Sequence, residues 1–219
     1  MKLRFLAGLM LAAMAGHVQA DVFTSESAFL TAIGGTADIT ENFNAFTTDQ
    51  SFRNSSFDVG PFTLSSSGSD QNLNTQNTID ADPFAFGGFA NVNNSTFAHF
   101  FLKGGVTTAS IAFDAPITAF GATFKELGSA TTINFTTQSG AKTLAQSIGT
   151  GVAFFGFTLD PGETITGLTL SVPSGGDGFG MDNVLLATTG VPEPSSLALF
   201  GLGALGMIGF SRRKRRQDA

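Results

Sequence analysis

Thr107–Leu127 reads TTASIAFDAPITAFGATFKEL. Thr, Ile, Phe and Ala dominate it, and Asp114-Ala115-Pro116 interrupts it, so it reads as two strands joined at that turn. The same texture continues on both sides. Upstream lie ITENFNAF around Phe43, GPFTLSSS and STFAHFFL. Downstream, TTINFTTQSGAKTLAQS reads as a hairpin turning at Ser139-Gly140, and VAFFGFTL, ETITGLTLSV and GFGMDNVLLA complete the set. Short strands at steady spacing, with Gly, Asn and Ser between them, predict an all-β antiparallel β-sandwich. A jelly roll is the topology expected. TSESAFLTAIGG is the exception. Ser25 is placed to cap a short helix, Glu26 favours its first turn, and Phe29, Leu30 and Ile33 form its apolar face. Gly34 and Gly35 end it. Residues 67–95, rich in Asn, Ser, Gly and Asp, read as a long loop excursion.

Composition bounds the chemistry. The 219 residues hold 24 Phe but no Trp, Tyr or Cys, so no disulfide, thiolate nucleophile or Cys-ligated zinc site is available. From Asp21 to Gly190 there are four basic and fifteen acidic residues, a net charge of −11. Such a body repels phosphate backbones, which excludes nucleic acid as a partner. The positive charge lies at the two ends instead.

Those ends read as addresses. MKLRFLAGLMLAAMAGHVQA has a basic start, an apolar run and small residues, the layout of a secretory signal peptide. Val18 and Ala20 place the cut after Ala20; Ala13 and Ala15 also fit a cut after Ala15. The expected domains are therefore 1–20 (signal peptide), 21–190 (sandwich) and 191–219 (tail). In the tail, Ser195–Phe210 is sixteen residues without a charge. As a helix it would span roughly 24 Å, short for a hydrocarbon core of about 30 Å. Arg212, Arg213, Lys214, Arg215 and Arg216 follow it and are placed to stay in the cytoplasm. The expected topology is body outside, basic tail inside.

VPEP, a short Gly- and Leu-rich segment and an Arg cluster closely resemble the PEP-CTERM sorting signal. The resemblance implies a substrate of exosortase, a membrane-embedded cysteine protease-like enzyme that reads Pro192, Glu193 and Pro194 and processes the tail. It implies signal peptidase and exosortase as processing partners, transient insertion in the inner membrane, and delivery to the cell surface or outside. The tail family occurs with exopolysaccharide production, which implies a matrix, adhesion or biofilm role. The body, with ITENFNAF, APITAFGATF, FFGFTL and GDGFGMDNVLL, also resembles carbohydrate-binding jelly rolls. Modules of that kind often hold a structural calcium where first and last strands meet. Here that implies Glu41, Asn44, Asp177 and Asp182 as ligands, with Asp182 foremost and Asn183 assisting.

No catalytic apparatus is legible. His99, the single histidine left after signal removal, sits in the Phe-crowded FAHFF and reads as a structural strand residue. HExxH, GxSxG and a phosphate-cradling glycine loop are absent. The reading is a non-enzymatic structural or adhesive protein. A lectin-like module is the alternative, and a secreted hydrolase using two carboxylates is third. Phe84, Phe86 and Phe89, in a polar loop with Asp80, Asp82 and Asn91, are expected to plug that loop onto the sandwich. No ligand-binding residue is assigned.

Overall fold

The computed structural model describes residues 20–68, 77–82, 84, 89–128, 131–137, 139–146 and 151–188. Residues 1–19 of the signal peptide, Phe86 and the whole sorting tail lie outside the described residues. Among the described residues, no helix is long and apolar enough to cross a membrane.

Strands dominate, in two antiparallel sheets. The first sheet runs β1 (Asp21–Phe23), β12 (Val152–Thr158), β9 (Ala119–Lys125), β14 (Gly176–Ala187), β7 (Phe97–Lys103), β6 (Thr78–Asp80) and β3 (Gln50–Ser51), and β2 (Ile39–Glu41) pairs with β14. The second runs β11 (Gly140–Gln146), β10 (Thr131–Thr137), β13 (Ile165–Ser171), β8 (Thr108–Ile117), β5 (Phe62–Ser67) and β4 (Ser56–Asp58). From β7 to β14 the orders are β7-β14-β9-β12 and β8-β13-β10-β11, which is the jelly-roll arrangement of two interleaved Greek keys. The remaining strands extend these sheets at their margins.

Burial alternates along β5, β10 and β13 of the second sheet, which has one covered face, whereas β7, β9, β12 and β14 of the first sheet are buried almost continuously, as strands covered on both faces are. In β13, Ile165, Leu168 and Leu170 are buried, while Thr166 is exposed. Phe rings fill the space between sheets. Phe135 of β10 stacks on Phe157 of β12 with centroids 4.7 Å apart. On the outer side of the first sheet, α1 (Glu26–Ala32) lays Phe29 and Ile33 against Ala119, Phe154, Leu185 and Ala187. The ring of Phe29 rests over Gly121 and Gly156, cross-strand partners at which any Cβ would collide with Phe29 or Phe154.

Three local expectations are corrected. The first concerns the break in Thr107–Leu127. It falls at Thr118, and Asp114-Ala115-Pro116 belongs to β8. Thr118 donates its backbone N–H (2.7 Å) and its hydroxyl (3.2 Å) to the carbonyl of Ala187, and this anchor moves the chain from the second sheet to the first. Second, ITENFNAF is strand only over Ile39–Glu41; Phe43 then turns with φ 57° to bury its ring in the main core. Third, Ser25 stands at the N-cap of α1 but makes no capping bond, because its hydroxyl pairs with that of Ser27 at 2.9 Å. The glycine stop is as expected, with Gly34 and Gly35 at φ 94° and 106°.

Candidate functional site

The outward face of the second sheet carries mainly small hydroxyl side chains, opposite the Phe, Leu and Ile of its inward face. The strand registers align one rank across all six strands: Ser56, Ser65, Ser110, Thr169, Asn134 and Thr143. Neighbours in this rank and the next are linked sideways. Ser110 and Thr169 hydroxyls lie 3.3 Å apart, Ser67 and Thr108 3.2 Å, and Thr132 and Ser171 3.2 Å. Thr143 donates to Asn134 Oδ1 at 2.8 Å, and Asn134 Nδ2 donates to Ser171 Oγ at 3.3 Å. Beside this rank, Ala112, Gly167 and Ala141 floor a depression of ≈ 420 Å³. A second depression of ≈ 370 Å³ lies over Ser56, Ser65, Ser67 and Thr108, and Ser110 borders both. Lys142 is the single charged residue lining either one. Each hydroxyl can donate once and accept twice, so after lateral pairing the face still offers both functions. It suits a neutral, hydroxyl-rich partner lying across the strands.

The four carboxylate and amide residues expected to hold calcium do not form one site. Glu41 and Asp182 do come together. β14 exchanges β7 for β2 at a bulge where Asn183 has φ 50°, and Glu41 pairs with Val184 just beyond it. Asp182 is fully buried. Its Oδ1 accepts the Asn183 N–H at 2.7 Å, and Ser95 Oγ lies 3.2 Å from its Oδ2, with the Asn93 side chain also bonded to it. Burial pushes its carboxyl up to about 6, against the hydrogen bonds that favour the anion, and Glu41 adds to the rise. Asp177 lies five residues up β14, about 16 Å away at strand rise. There it accepts from Thr131 Oγ1 at 3.0 Å, and burial raises its pKa. Asn44 is exposed, its N–H bonded to Asn42 Oδ1 at 3.2 Å. Among the described residues no three His, Cys, Asp or Glu could hold a metal ion together. Of the expected four, the fold brings together only Glu41 and Asp182, with Asn93 and Ser95 bonded to the Asp182 carboxylate, and the set of four is not assembled. Asn93 and Ser95 escaped sequence reading because they lie some 87 residues from Asp182 in the chain.

The Phe loop also differs from expectation. Phe84 is 71% exposed and Phe89 46%, so Phe84 does not plug the loop. Ala90 and Asn91 are buried, and the Ala90 carbonyl crosses β14 at Gly180, where any side chain would strike it. Glycine at 180 is what lets the loop lie down there. Asp80 is buried and accepts the Asp82 N–H at 3.1 Å. His99 is buried in β7, opposite Thr78 and Gly180, with its ring centroid 6.0 Å from that of Phe97.

No curated protein is similar enough to this chain to count as a match. Among solved structures it is similar to the enzymatically active domain of bacteriophage CBA120 tailspike protein 4, at 18% identity and TM-score 0.35. The similarity covers 60% of this chain and 20% of that one, so the chain spans about a fifth of that protein's length. Residues 190–216 match the PEP-CTERM protein-sorting motif. That match includes Pro192, Glu193, Pro194 and the basic cluster from Arg212 to Arg216, and it marks an exported protein that exosortase sorts and processes. The chain is thus an all-β sandwich carrying a PEP-CTERM sorting motif at its carboxyl end.

Proposed function

We propose that this chain is a non-catalytic structural or adhesive component of the cell surface or extracellular matrix, and that it meets exopolysaccharide through the outward face of its second sheet. In this reading residues 1–20 direct export and are removed. Residues 21–190 fold outside, and residues 191–219 hold the protein in the inner membrane until exosortase acts. The rank from Ser56 to Thr143 carries the proposal, because it is uncharged, hydroxyl-rich and continuous across six strands. Many weak polar contacts along a polymer sum to retention without a deep pocket.

The test is co-sedimentation of the exported protein with the exopolysaccharide of the producing cells. A Ser110→Glu, Thr169→Glu variant puts two negative charges in mid-rank on half-exposed side chains. It should fold, shown by an unchanged melting transition, and lose about tenfold in retained protein. Equal retention of parent and variant would remove the face from the proposal.

The lectin-like alternative draws on a different observation, the exposed rings of Phe84 and Phe89 beside Asp82. It requires a short oligosaccharide to bind there alone, and Phe84→Ala would abolish that binding while leaving polymer retention intact.

A further inference from the structure

The turn after β12 holds two carboxylates that the protein leaves incompletely paired. Asp160-Pro161-Gly162-Glu163 closes with Glu163 N–H donating to the Asp160 carbonyl at 2.9 Å, and Gly162 takes φ 85°, as a type II turn with Pro second requires. Glu163 is 6% exposed. Its Oε1 accepts from Thr137 Oγ1 at 3.0 Å, but its Oε2 is buried without a hydrogen-bond partner, and so is Asp160 Oδ2. Hydrogen bonds from Ser139 and Thr137 hold Glu163 below the usual carboxylate range against burial. Burial and the charge of Glu163 raise Asp160. A buried anion with a bare oxygen calls for a cation.

Lys142 already favours both anions, and processing of the chain supplies a second cation. β1 pairs with β12 so that Asp21 lies opposite Thr158, two residues before Asp160. Ala20, the residue just before, is buried in the main core. A cut between Ala20 and Asp21 therefore creates an α-ammonium at the rim of an apolar core, where an unpaired charge is costly. We propose that the Asp160–Glu163 turn is the binding seat for the mature amino terminus, with the α-ammonium of Asp21 ion-paired to Asp160 Oδ2 and supported by Glu163. This rests on the reading that signal peptidase cuts after Ala20. Until the cut, an uncharged peptide bond stands at that place. Afterwards the ion pair holds β1 on the edge of the first sheet. The other charged groups acting on the seat are the Asp21 carboxylate and Lys142 of β11, which favours both anions.

The experiment uses the exported protein recovered after processing, with its first residue sequenced. Three forms are melted between pH 6 and pH 10: the parent, Asp160→Asn, and a form with Gly-Ser inserted between Ala20 and Asp21, which moves the ammonium off the seat without touching the fold. A free α-amine titrates at about 8. Ion pairing raises that value in the folded state, so its stabilisation is complete below about pH 8 and is lost as pH rises through the raised value. The parent should melt roughly 2–4 °C above both variants at pH 7, and the gap should close by pH 10. With Asp21 confirmed first, equal melting of parent and insertion form at pH 7, or a gap that persists unchanged to pH 10, overturns the seat alone. A different first residue overturns the cut after Ala20 and the seat with it.

Discussion

Asp80 shows how far a single side chain can depart from its ordinary chemistry. It lies in β6, 3% exposed, and burial pushes its carboxyl up to about 6; Asp49 and Asp82 add to the rise, and the Asp82 N–H opposes it. The unfolded chain ionises this group near 3.9. The folded state therefore holds the proton more tightly, and the stability this group contributes is complete below about pH 4 and is lost as pH rises through about 6. At pH 7 the buried charge costs up to about 3 kcal/mol. Asp80→Asn keeps an oxygen for the Asp82 N–H and never ionises. It should raise the melting temperature at pH 7 and flatten the profile between pH 4 and pH 6. An unaltered profile would show that Asp80 is ionised without penalty. Single residues were also where sequence reading was weakest. Ser25 was placed correctly at a helix start, yet its hydroxyl spends its bond on Ser27.

At the scale of elements, β14 organises the molecule. It pairs β9 along one edge and β7, then β2, along the other, and the bulge at the exchange brings Asp182 to Glu41. Calcium there would tie β2, the 93–95 loop and β14 together, and a ligand that binds only the folded state stabilises it by about 2.7 kcal/mol at a hundredfold excess over Kd. The exported protein should accordingly melt higher in millimolar calcium than in chelator. Glu41→Gln should cancel that increment, and Asp177→Asn should leave it whole, since Asp177 belongs to the Thr131 end of the strand. Identical melting of the parent in both solutions removes the ion from the account. Asp177 and Asp182 looked like one cluster because five positions is a short interval in text. In an extended strand it is most of the thickness of a small domain.

For the whole molecule, the order of events is written at the two ends. Changing Pro192, Glu193 and Pro194 to alanine should leave export intact and block processing, because the apolar segment and the Arg cluster remain to stop transfer. The uncut protein should then accumulate in the membrane fraction, and its disappearance from the medium is the measurement. Release at the parent's rate would mean that exosortase does not read this motif in this chain.

What could be read without a fold was whatever depends on local order along the chain: the short helix and its glycine stop, the long strands, and the sorting tail. A sorting motif is recognised as linear sequence, so its residues are legible as they stand. Strand alternation likewise reports that one face is covered, and a long series of such strands is enough for a sandwich. Only the tertiary structure decided which strands share a sheet, since pairing depends on anchors such as Thr118 to Ala187 between residues far apart in sequence. It alone aligned Ser56, Ser65, Ser110, Thr169, Asn134 and Thr143 into one rank, separated Asp177 from Asp182, and set Asp21 opposite Thr158, two residues before Asp160. These are register facts, and register is chosen by the fit of Phe rings and glycines across the core, a sum over the whole fold that no short stretch contains.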